Sequence, residues 1–186
     1  MEIRDGLDAR SIPATRSILF EYFQLTHADA GLPVPDAVED LDQELRAECA
    51  DPTTVYSAPS LFVLAYIEGE LAGCAGLKRT DDDTAELTRL YVRPQFRGLG
   101  GELTKHVISK ARETGASTIV LSVLHNRSRA LNLYTNLGFQ VASNPTTRGA
   151  FVQMSLSLGA TASSGTSSRT IVDADSSMSF IGRPGG

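Results

Sequence analysis

The residues best suited to chemistry lie in one stretch, Leu90-Tyr-Val-Arg-Pro-Gln-Phe-Arg-Gly-Leu-Gly-Gly-Glu-Leu103. Three glycines, at 98, 100 and 101, stand directly ahead of a helical pattern. Glycine lets a backbone approach a ligand with no Cβ in the way. The first N–H groups of a helix have no internal acceptor, and the helix dipole is positive at that end. A turn of this composition can cradle a phosphate or pyrophosphate, and Arg97 can add a charge-assisted contact. A Walker loop would need GxxxxGK[ST], and no such string occurs. A dinucleotide loop would need GxGxxG and an acidic residue after the next strand. Here the third glycine is replaced by Leu103, and the next strand runs into His125-Asn126.

The elements around the loop follow from periodicity. Residues 2–7 can form a first strand. Ile12, Ile18, Leu19, Tyr22, Phe23 and Leu25 recur at helical spacing and predict a helix over about 9–26, broken by the Gly31-to-Pro35 segment. Val38, Leu41 and Leu45 predict a second, shorter helix. LFVLAYI (61–67) and LAGCAGLKR (71–79) flank Glu68-Gly69 as a hairpin, and AELTRLYV (85–92) is the next strand. Pro94 ends it. The helix after the loop carries Leu103, Val107, Ile108 and Ala111, and Gly115 stops it. STIVLSVL (117–124) is a strand, 128–137 a short helix ended by Gly138, and 139–143 and 150–158 are closing strands. The fold class is α/β (α+β), with a mixed, mostly antiparallel central sheet flanked by helices.

The loop also fits Q/R-x-x-G-x-G/A, read as Gln95-Phe-Arg-Gly98-Leu-Gly100. Further on, Ala130-Leu-Asn-Leu-Tyr-Thr-Asn-Leu-Gly-Phe139 looks like an A-x-x-LYxxxGF signature. In both motifs and in strand order, residues 2–158 resemble the GCN5-related N-acetyltransferase (GNAT) superfamily. The resemblance implies the acyl-CoA N-acyltransferase fold, acetyl-CoA as co-substrate and no metal. It implies that backbone groups of Leu90, Tyr91 and Val92 hold the pantetheine arm, with the Leu90 N–H as donor to the thioester oxygen. Gln95, Arg97, Gly98, Leu99, Gly100 and Gly101 would surround the pyrophosphate. The strands 87–92 and 117–124 would splay to admit the arm as a short extra strand. Asn126 stands eight residues before Tyr134, where the superfamily usually has an asparagine seven before.

Acyl transfer to an amine needs a base to deprotonate the ammonium and favours an acid for the departing thiolate. Glu86, four residues before Leu90 and so expected on its face of the strand, corresponds to the glutamate base of the histone-acetylating branch. The alternative is a strand glutamate paired with Arg89 or Lys78. Tyr134 matches the superfamily's usual acid, since a phenol is protonated at neutral pH. The alternative is a tyrosine that only packs its helix.

Composition narrows the remaining classes. The chain has 186 residues, 41% hydrophobic and 21% charged, enough for a single packed core. Its formal charge of −5 argues against nucleic acid as a partner and leaves room for a cationic amine. Cys49 and Cys74 form no disulfide framework and no zinc spacing, and Cys74 reads as a small core residue. No apolar stretch is long enough for a membrane span, and the charged N-terminus lacks a secretory h-region. The expectation is a cytoplasmic protein without a membrane partner. Residues 1–158 form the domain. Residues 159–186, rich in Ser and Gly, are expected to be a disordered tail or, alternatively, a segment docking through Ile171-Val172 or Phe180-Ile181.

The reading is an N-acetyltransferase that moves the acetyl group of acetyl-CoA to a primary amine, of a small molecule or a protein, by direct attack in a ternary complex. A non-catalytic acyl-CoA-binding module would keep the loop without needing Glu86 or Tyr134. An interaction protein would need none of them. The acceptor pocket is expected from residues 20–50 and the 143–150 loop, with Asp36, Glu39, Asp40 and Asp42 at its mouth or on a solvated face. His125 is a further candidate for touching substrate. The last strand could also pair across a homodimer.

Overall fold

Apolar residues on both faces of the central strands require helices on both sides, and two buried clusters form accordingly. The computed structural model describes residues 1–142 and 150–159. Its elements are β1 (Glu2–Asp5), α1 (Ile12–Ala30), α2 (Gln43–Ala50), β2 (Leu61–Ile67), β3 (Glu70–Arg79), β4 (Thr84–Val92), α3 (Gly100–Glu113), β5 (Thr118–Leu124), α4 (Ser128–Asn136), β6 (Gln140–Val141) and β7 (Phe151–Ser157). Their order is the one expected from periodicity. The tail lies outside the described residues from 160 onward, as does the 143–149 part of the expected acceptor loop.

The seven strands form one sheet in the order β1-β2-β3-β4-β5-β7-β6. Only β4 and β5 run parallel; the other neighbours are antiparallel. One face packs Leu103, Val107 and Ala111 of α3 and Tyr134 of α4 against Leu77, Leu87, Ile119 and Leu121. The other packs Ile18, Leu19 and Phe23 of α1 and Leu45 and Cys49 of α2 against Phe62, Leu64 and Cys74.

The second helix begins later than Val38, Leu41 and Leu45 suggest. Val38 lies in a 3-10 turn, and the α-helix starts after Asp42, whose carboxylate accepts the Leu45 N–H at 2.9 Å. An N-cap aspartate fixes a helix start more firmly than apolar spacing does. The Asp40 carboxylate accepts the Asp36 and Ala37 amides at 3.0 Å each, so two of the expected mouth acids hold local turns.

Candidate active site

The first feature is a fork. Strands β4 and β5 pair at Thr84–Thr118, Ala85–Ile119 and Glu86–Val120, and nowhere beyond. Both continue, to Val92 and Leu124. Their facing edges from residue 87 onward are open to an extended ligand, which could join as an added strand.

A bulge accounts for the divergence. Cys74 of β3 stands opposite Tyr91 and Gly76 opposite Thr88, so β4 carries one residue more than β3 between those rungs. Arg89 takes φ 52°, a conformation costly for a residue with a Cβ. Such an insertion bends and twists its strand. It also inverts the alternation of side chains. Ala85, Leu87 and Leu90 pack on the α3–α4 side. Tyr91 packs on the α1–α2 side, where Thr88 and Arg89 also find their partners. The expectation that Glu86 and Leu90 share a face is therefore corrected: Glu86 lies on the α1–α2 face and the Leu90 side chain on the other.

The backbone beyond the bulge is set by its bonds to β3. The Arg93 N–H donates to the Ala72 carbonyl at 2.9 Å. By strand alternation Tyr91 also faces β3, and the N–H groups of Leu90 and Val92 face the open side of the fork. Arg93 locks this strand end further. Its guanidinium pairs with Glu21 of α1 at 2.9 and 2.6 Å and donates to the Leu71 carbonyl at 2.8 Å.

The glycine turn follows directly. Gly98 has φ 106°, while an added Cβ there would meet nothing within 4 Å. The backbone conformation, not crowding, requires glycine. No side chain caps α3, and its first intrahelical bond runs from the Leu103 N–H to the Leu99 carbonyl at 3.0 Å. The amides ahead of it, at 100–102, have no intrahelical acceptor. Gln95, Arg97 and Gly98 are exposed around them. Glu102 turns outward to Lys105, at 2.8 Å. A Cβ on Gly100 or Gly101 would touch Leu133 at 3.4 or 3.5 Å, so α4 lies against this end of α3. An anionic diphosphate fits this open, uncapped turn.

Tyr134 follows Leu133 on α4. It is buried at 7% exposure, its ring packs edge-on against Phe139 at 5.6 Å, and its hydroxyl has no hydrogen-bond partner among the described residues. Burial, with a smaller contribution from Tyr22, pushes its pKa well up, against an opposing effect of Arg127. The phenol therefore keeps its proton at neutral pH. Glu86 is half-buried, and burial raises its pKa while Lys78, its cross-strand neighbour, works in the opposite direction.

Asn126 is placed differently from the rest. Its Nδ2 donates to the Asp29 carbonyl at 2.8 Å, and the adjacent Arg127 binds the Asp29 carboxylate at 2.7 Å. Both residues tie the loop before α4 to the end of α1. His125 Nδ1 lies 2.9 Å from the Ala150 carbonyl.

Sequence reasoning missed a buried ion pair beneath the fork. Arg89 donates from Nε to Glu48 Oε1 at 2.8 Å and from Nη2 to Oε2 at 2.5 Å. The Tyr56 hydroxyl donates to Glu48 Oε1 at 2.8 Å and lies 3.2 Å from Thr88 Oγ1. A Cβ on Gly76 would stand 2.6 Å from the Tyr56 ring, so glycine there makes room for it. The Arg89 guanidinium also lies 4.9 Å from the Phe23 ring centroid. Arg89 is thus bound to Glu48 of α2, and its charge also acts on Glu86. The signal was a second charged residue, Arg89, in a strand that already carried Glu86; its partner, 41 residues away, had none.

Comparison with known proteins agrees with the fold. The acetyltransferase (GNAT) family profile matches residues 15–139, and the chain belongs to that family. An N-acetylaspartate synthetase of Danio rerio is 36% identical over 105 residues, 54% of this chain and 37% of that protein. An uncharacterized N-acetyltransferase of Schizosaccharomyces pombe is 31% identical over 124 residues, 62% of this chain and 76% of that one. The chain therefore spans well under half of the first relative's length. The PaiA N-acetyltransferase of Thermoplasma acidophilum, solved in complex with coenzyme A, shares the fold with a TM-score of 0.64 at 22% identity, over 84% of this chain and 98% of that one. Among the described residues no helix is long and apolar enough to cross a membrane, and no group of three or more His, Cys, Asp or Glu could hold a metal ion.

Proposed function

We propose that this chain is an acetyl-CoA-dependent N-acetyltransferase that acts on a primary amine by direct attack in a ternary complex. The observation that carries the reading is the fork that opens at Glu86–Val120 and leads into the uncapped glycine turn at Gly98–Gly101. That arrangement suits a ligand with an extended arm and a diphosphate. Acetyl-CoA supplies the activated acetyl thioester. The amides of Leu90 and Val92 orient the arm, and the Leu90 N–H lies on the side where a thioester oxygen would need a donor. Residues 95–101 hold the diphosphate.

Glu86 accepts a proton from the acceptor ammonium, directly or through water; its raised pKa makes it a stronger base than an exposed glutamate. Tyr134 donates a proton to the departing thiolate. The acceptor comes from the α1–α2 side, the face that Glu86 shares. The zebrafish relative, named for N-acetylaspartate synthesis, supports a small-molecule acceptor. A cytoplasmic location and a homodimer through β7 belong to the same proposal.

The test is to mix the protein with acetyl-CoA and a library of amines and follow free thiol. Release above background with at least one amine is expected. No release with any amine, while coenzyme A still binds, would favour a binding module instead.

A further inference from the structure

The ion pair between Glu48 and Arg89 lies outside the machinery assigned so far, yet it joins two parts of it. Glu48 belongs to α2, on the acceptor side. Arg89 is the residue in the left-handed conformation at the bulge. Both side chains are almost fully buried, at 4% and 3% exposure. A buried pair contributes little to net stability against apolar side chains of the same size, so stability alone does not account for it. Here its two parallel hydrogen bonds fix both the position and the plane of the guanidinium. Tyr56 and Thr88 fix the carboxylate in turn. With the side chain of Arg89 held this way, its backbone stays in the left-handed conformation. The next residue is Leu90, whose amide faces the fork.

We infer that Glu48 and Arg89 form a positioning pair that fixes the Arg89 backbone within the β4 bulge, whose extra residue is set by the register with β3, and so aims the Leu90 amide at the thioester oxygen of acetyl-CoA, linking helix α2 to the cofactor strand. This rests on the reading of the fork as an acyl-CoA site. The pair touches neither substrate; it acts through the backbone of Leu90.

The amide distinguishes acetyl-CoA, which has a carbonyl at this point, from coenzyme A, which has none. The diphosphate turn binds both alike. The test is calorimetric titration of the full chain with acetyl-CoA and, separately, with coenzyme A. Three variants are compared with the unaltered protein: Tyr56→Phe, Glu48→Gln and the double substitution Glu48→Leu with Arg89→Met. The double variant removes both charges together and is chosen to keep the fold; Tyr56→Phe keeps the ring and removes one bond.

The unaltered protein should prefer acetyl-CoA over coenzyme A by about tenfold, the worth of one hydrogen bond. The double variant should bind coenzyme A as before and lose that preference, with Tyr56→Phe and Glu48→Gln intermediate. A purely structural role would weaken both ligands equally. A preference that persists in the folded double variant, or equal weakening of both ligands, overturns the inference. So does an unaltered protein that binds both ligands with equal strength, and in that case the acyl-CoA reading survives. If the unaltered protein binds neither, the acyl-CoA reading fails and this inference with it.

Discussion

Glu86 stands opposite Val120 at the last rung where β4 and β5 remain paired. Glu86 thereby stands at the root of the fork, on a strand still paired on both sides, and among the described residues β4 and β5 share no rung beyond it. A base proposed at this point would be fixed by the sheet.

Substitution Glu86→Gln should reduce kcat by about a hundredfold and abolish the acidic limb of the pH–rate profile. Because burial raises its pKa, that limb should lie above the range of an exposed glutamate. An unaltered profile in the variant would remove Glu86 from the role of base.

The same shift has a consequence for stability. A carboxyl whose folded pKa is raised contributes stability that is fully present below its unfolded pKa and lost as pH rises through the folded one. Ionised Glu86 thus costs stability at neutral pH. Thermal unfolding of Glu86→Gln should show a higher Tm than the unaltered protein at pH 7, with the difference shrinking toward pH 4. The opposite trend would mean that Lys78 outweighs burial.

Tyr134→Phe should lower kcat by about a hundredfold and leave coenzyme A affinity nearly unchanged, since the ring and its contact with Phe139 remain. Single-turnover rates and calorimetry separate the two quantities. A full rate in the variant would leave Tyr134 with packing alone.

Arg89→Met alone should cost about 3–5 kcal/mol in denaturant unfolding, because Glu48 is left buried without its cation. The double substitution Glu48→Leu with Arg89→Met should recover most of that loss. A single variant as stable as the unaltered protein would show that water reaches the pair.

Gly98→Ala should lower stability by about 1–3 kcal/mol and weaken coenzyme A binding, since φ 106° disfavours any Cβ although space is free. Equal affinity in calorimetry would place the diphosphate elsewhere.

Much of this architecture was legible in the sequence. Apolar runs such as 61–67 and glycine stops at 31 and 115 locate strands and helix ends by local rules. The glycine turn was legible because the backbone at Gly98 demands glycine, and backbone demands show in residue type. What escaped was non-local. The start of α2 was set by one capping carboxylate, Asp42, against an apolar spacing that ran on through Val38. The bulge at Arg89 left no mark, since nothing in AELTRLYV distinguishes an extra residue from a regular one. The partnership of Glu48 and Arg89 joins two elements with no shared pattern.

That extra residue also divides β4 into two reading frames. Before it, odd-numbered side chains look toward α3; after it, even-numbered ones do. Removing residue 89, together with Glu48→Leu, would merge the frames and leave every inward-facing neighbour on its present side. One residue therefore sets whether the stretch of β4 beyond Glu86 keeps the alternation of the stretch before it, and the length of β4 that leaves β5 is the length in which that alternation breaks.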